Sequence, residues 1–85
     1  MYCIVAIILK GEFPFRTHET VFLDKARNWV DHQEDAEQFE RIEDTKGVGF
    51  LPPSQNHEDV EGIGAYKIGS PWLGAIPVKV YTLPG

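Results

Sequence analysis

Three histidines, one cysteine and thirteen carboxylates are the residues of this chain best equipped for chemistry. Asp31, His32 and Asp35 lie close together, and His57, Glu58 and Asp59 run consecutively further on. Carboxylates with imidazoles suit a hard cation or zinc. None of the histidines sits in an H-x-x-x-H spacing, however, and acids beside a histidine are routine on solvated surfaces. No metal and no cofactor is expected. Cys3 stands at the head of the apolar run "YCIVAIIL", where a thiol is a packed group rather than an attacking one. Ser54 and Ser70 each adjoin a proline, with no histidine at a spacing that promises contact, so an enzyme is not expected. Gly47-Val48-Gly49 and Gly62-Ile63-Gly64 would let backbone approach a phosphate. Neither lies between a strand and a helix and no G-K-[ST] follows, so they read as turn and bulge glycines.

Aromatic residues could stack on bases, as in single-strand nucleic-acid binding. That mode needs a basic track, and the charge of this chain runs the other way. Net charge is −5, which argues against direct contact with nucleic-acid phosphates. From Asp31 to Glu61 ten acids face only Arg41 and Lys46, while the rest of the chain holds three acids and six bases. The densest stretch is "DHQEDAEQFERIED" at 31–44, where seven of fourteen positions are acidic. An acidic run is ordinarily solvated surface that keeps a protein soluble. A long polar loop with three further acids (Glu58, Asp59, Glu61) points instead to a working surface, because long loops in small domains are uncommon without a role. Most rings are expected in the core. Trp72, set between Pro71 and Gly74, is expected on a turn as an interface anchor.

These residues need a scaffold. Eighty-five residues allow one domain, 1–85, with a modest stability margin. The single cysteine excludes an intrachain disulfide and fits a reducing compartment, so a cytoplasmic protein is expected. "YCIVAIIL" is too short to span a bilayer and lacks the flanks of a signal peptide. Tyr2 to Leu9 reads as a strand covered on both faces. Gly11 and Pro14 end it in a loop, and Thr17 to Phe22 pairs back as a second strand. Phe22, Ala26, Trp29, Val30 and Gln33 then fall at helical spacing, which predicts a helix over 23–34 with Asp24 near its N-terminus. Gln38–Asp44 and "VGFL" follow as short strands around the "DTKG" turn. "PPSQNHEDVEG" is loop; "IGAYKIG" and "IPVKVYTL" are the last strands, joined through "SPWLG".

The expected fold is therefore α+β: a small antiparallel sheet with one helix packed on one face, in the order β-β-α-β-β-loop-β-β. One helix leaves the other sheet face to be covered by the aromatic loops (Phe13, Phe15, Trp72), a second subunit or a target. The "YCIVAIIL" strand, the "FLDKARNWV" helix opening and the "DHQEDAEQFERIED" run give a layout that resembles the small phage-encoded inhibitors of host defence, anti-CRISPR proteins among them. That group shares no motif, so no functional residue carries over by position. The resemblance implies a non-enzymatic protein that occupies a basic groove of a nucleic-acid-handling machine.

The expected function is binding to a basic host protein or nucleoprotein complex, with no direct contact to nucleic acid or membrane. Asp31, Glu34, Asp35, Glu37, Glu40 and Glu43 would supply electrostatic steering. Glu58, Asp59, Glu61 and Trp72 would supply a local anchor. The rivals are a homodimer that buries the uncovered sheet face, and a small-ligand or metal site at Asp31, His32, Asp35 and His57.

Overall fold

The computed structural model describes residues 1–11, 14–50, 60–73, 76–77 and 80–82. Tyr2–Lys10 forms β1, Thr17–Leu23 β2, Trp29–Val30 β3, Val60–Lys67 β4, Trp72–Leu73 β5, Ile76–Pro77 β6 and Val80–Thr82 β7. Five of these make an antiparallel sheet in the order β3-β2-β1-β4-β7, and β5 pairs with β6 apart from it. The apolar β1 is thus the central strand. Two 3₁₀ turns, Gln33–Asp35 and Ile42–Thr45, are the helical elements among the described residues. None of the described helices is long and apolar enough to cross a membrane.

The β1–β2 hairpin forms as the sequence requires, in register from Val5 opposite Phe22 to Lys10 opposite Thr17. Gly11 turns the chain with φ +88°, and a Cβ there would meet the Phe15 carbonyl oxygen at 3.0 Å, so an L side chain is disfavoured both by the backbone and by crowding.

The α-helix expected over 23–34 is replaced by a second hairpin, which overturns the α+β assignment. Phe22 pairs with Val30 and Leu23 with Trp29. Asp24 takes the decisive role. One carboxylate oxygen accepts from the Ala26 N–H and the Asn28 N–H, both at 2.9 Å. The Asp24 N–H donates to the Asn28 carbonyl, and the Arg27 N–H donates back to the Asp24 carbonyl. A side chain that binds the next backbone donors competes with a helix and favours a turn. Lys25, Ala26 and Arg27 form the three-residue connection, a type I turn closed by a left-handed residue, here Arg27 with φ 67°. The helical spacing of Phe22 and Val30 has a different cause: residues flanking a hairpin symmetrically meet on one sheet face.

The next two expected strands are also corrected. Of Gln38–Asp44, only Phe39 makes a bridge, exchanging two 2.7 Å hydrogen bonds with Tyr2; Ile42–Thr45 then coils as a 3₁₀ turn. Val48–Phe50 is not strand, and Leu51 lies outside the described residues. Gly47 does take the positive φ expected of it, +80°. Of "IGAYKIG", residues 63–67 lie in β4, which begins earlier, at Val60, and Ile68 and Gly69 form the turn after it. The "SPWLG" turn is corrected: Trp72 and Leu73 pair with Pro77 and Ile76. The last strand is divided between β6 and β7.

Alternation along β1 sends its side chains to two faces. On one, Cys3, Val5, Phe22 and Tyr66 close around Ala36, with Val30 and Ile68 at the margin. Trp72 caps this cluster, its ring 4.9 Å from that of Tyr66 and 6.0 Å from that of Phe22. The other face buries Ile4, Ala6, Val21, Leu23 and Ala65. Phe50 packs edge-on against Trp29 there, at 5.6 Å, and the Ile42–Thr45 turn lies against β1 with Thr45 buried. Both faces of the inner sheet are thus covered by the chain itself. Phe15, expected as cover, is 84% exposed at the β1–β2 loop instead; Phe13 lies outside the described residues.

Candidate functional site

Residues 31–50 connect the two covered faces. The segment begins at the free end of β3 and buries Ala36 in the first cluster. The Glu37 N–H donates to the Leu23 carbonyl at 3.0 Å, and Phe39 pairs with Tyr2 where β2 has ended. It then runs on to the second face through the Ile42–Thr45 turn. Its few apolar residues, Ala36, Phe39, Ile42, Val48 and Phe50, are all turned at least partly inward. Its acids are left pointing outward.

The result is an acidic belt, a segment that follows β3, is tied to the sheet at Leu23 and Tyr2, and carries exposed acids along its length. Asp31, Glu34, Asp35, Glu40, Glu43 and Asp44 are exposed and enter none of the ion pairs found among the described residues. Glu37 differs: it is half-buried and paired with the Arg27 guanidinium. The acids expected on the end of a helix and on the strand after it sit instead on a wrapped segment with two 3₁₀ turns. The charge of Asp31 extends to Lys10, whose ammonium is held protonated beyond its ordinary range first by its hydrogen bond to Glu19, then by the Glu19 charge, and last by Asp31.

Comparison with protein families, with characterised proteins and with solved structures finds no match. What the molecule does must be read from this geometry alone.

Glu58 and Asp59 lie outside the described residues. Glu61 sits away from the 31–44 segment, on β4. Ile7 pairs with Gly62 and Ile8 with Val60, so Glu61 is the extra residue of a β-bulge. A bulge re-aims its side chain, and Glu61 reaches across β1 to the His18 ring, Oε2 to Nε2 at 2.7 Å. Trp72, expected on a turn, is 38% exposed on β5 with its ring laid on Tyr66; its first role is to close the core. Among the described residues no three His, Cys, Asp or Glu side chains gather as metal ligands would. His57, part of the metal rival, lies outside them.

Tyr66, one of the rings expected in the core, is fully buried and its hydroxyl donates to the Ser70 carbonyl. One residue of the candidate site was missed in the sequence. Arg27 joins the β2–β3 turn to the belt. The signal for Arg27 was present: "VFL" and "WV" flank "DKARN", two strand-forming runs around an Asp and an Asn that favour turns.

Proposed function

We propose that this protein is a binding protein, not a catalyst, that docks its acidic belt onto a basic, nucleic-acid-handling partner and blocks it. One observation carries the reading: six exposed acids between Asp31 and Asp44 lack a neutralising partner among the described residues. Concentrated unpaired charge steers a complementary surface into contact and raises the association rate by roughly 10- to 1,000-fold. A basic groove shaped for phosphates is the surface it fits best. The layout shared with small phage-encoded inhibitors loses its helix, so the proposal rests on size and charge and not on that element.

Steering of this kind is screened by salt. The association rate with a captured partner is therefore expected to fall by about tenfold or more from low to high ionic strength, measured by stopped-flow or biosensor kinetics. An association rate indifferent to salt would remove the electrostatic basis of the reading.

A further inference from the structure

Arg27 occupies an unusual position. It is the only non-glycine residue at positive φ among those described, at 67°. It closes a three-residue hairpin connection at the place where glycine is the ordinary choice, because a Cβ in the left-handed region crowds the following carbonyl. The Asp24 bonds to the Ala26 and Asn28 amides hold the turn without help from the Arg27 side chain. That side chain makes one contact of a different kind: its Nη1 donates to Oε2 of Glu37, ten residues on, in the middle of the acidic belt. The adjoining backbone contact, Glu37 N–H to Leu23 carbonyl at 3.0 Å, places the belt against the same hairpin.

From this we infer that Arg27 is a positioning residue for the belt: its guanidinium ties the β2–β3 turn to Glu37 and so sets where the acidic segment leaves the sheet. An arginine serves here in spite of the backbone because glycine could not reach Glu37. The pair also divides the acids. Glu37 is neutralised within the molecule, so a partner meets Asp31, Glu34, Asp35, Glu40, Glu43 and Asp44. The inference rests on the proposed function for its biological meaning, while the tether itself belongs to the free protein and is testable without a partner.

Hydrogen exchange on the full chain reads it directly. Arg27→Asn keeps a residue that tolerates the left-handed region and removes the guanidinium. The protection factors of the Glu37 and Phe39 amides are expected to fall by about two- to fivefold, the range that follows from loss of one partly exposed ion pair. The Asn28 amide, held by Asp24, is expected to stay as in the wild type. The charge swap Arg27→Glu/Glu37→Arg is expected to restore protection at Phe39. Unchanged protection at Glu37 and Phe39 in Arg27→Asn would overturn the tether. So would an equal loss at Asn28, which would make Arg27 a turn residue only, or a charge swap as loose as Arg27→Asn. If the tether holds while the belt recruits no basic partner, the proposed function falls and the tether stands.

Discussion

Tyr66→Ala is expected to lose about 3–5 kcal/mol of folding stability, the usual result of truncating a buried aromatic to alanine. Its ring is fully buried beside Cys3, its register partner, and carries Trp72 at 4.9 Å. Removing it opens a cavity in the first cluster and frees the β5–β6 hairpin that Trp72 anchors. A small domain has about 5–10 kcal/mol in total, so the variant should be largely destabilised in urea titrations followed by far-UV circular dichroism. Tyr66→Phe separates packing from polarity. It keeps the ring and removes the hydroxyl, with its bond to the Ser70 carbonyl and its contact with Trp72, and is expected to cost about 1 kcal/mol. Equal midpoints for Tyr66→Ala and wild type would mean that the ring does not hold this face together.

The second large effect is alkaline. Burial pushes the Cys3 thiol from 9.0 up to about 11. Burial likewise raises Tyr66, with the neighbouring Cys3 adding to it and Trp72 opposing. Both groups are neutral when protonated, so the folded state holds its protons to higher pH than the unfolded chain does. Above pH 9.0 the unfolded state binds fewer protons, and stability falls as pH rises. The Cys3 contribution is intact below 9.0, is lost through the interval to about 11, and amounts to about 3 kcal/mol. Tyr66 adds to the loss in the same direction. Urea midpoints should therefore be level from pH 7 to 8.5 and drop between pH 9 and 11, with a shallower drop in Cys3→Ala. A midpoint that stays level to pH 11 would contradict the burial of both groups.

The parts of the fold that were legible in the sequence are those where one residue type admits one conformation. The β1 run reads as a strand covered on both faces because its alternate positions are apolar on both sides, and Cys3, Ile4, Val5 and Ala6 are all buried. Gly11 and Gly47 take the positive φ their turns require. The β2–β3 hairpin was illegible to periodicity because Phe22 and Val30 share a face under either structure, as cross-strand partners or on successive helical turns. Only the Asp24 side chain, bound to two backbone amides, decides between them. The acids were legible as residues but not as a surface. Their arrangement depends on where Ala36, Phe39 and Phe50 attach the segment, and those attachments form across the sheet and not along the chain. Arg27 was hidden for a related reason. Its left-handed backbone and its contact with Glu37 are both consequences of the hairpin.

The acidic belt is tested most directly by reversing charges that have no ion-pair partner among the described residues. Glu34→Lys/Glu40→Lys/Glu43→Lys leaves the Arg27–Glu37 pair intact. All three positions are exposed, where substitutions away from special features shift stability by about 0.5 kcal/mol or less each, so the urea midpoint should stay near that of the wild type. Wild type and variant are then used side by side for affinity capture from a lysate of the native host. Recovery of a basic nucleic-acid-binding protein by the wild type, with binding weakened roughly a hundredfold in the variant, is the expected result, since each reversal replaces an attraction by a repulsion of about 1 kcal/mol. Recovery of the same partner with equal affinity by both proteins would contradict it and leave the acids as ordinary solvated surface.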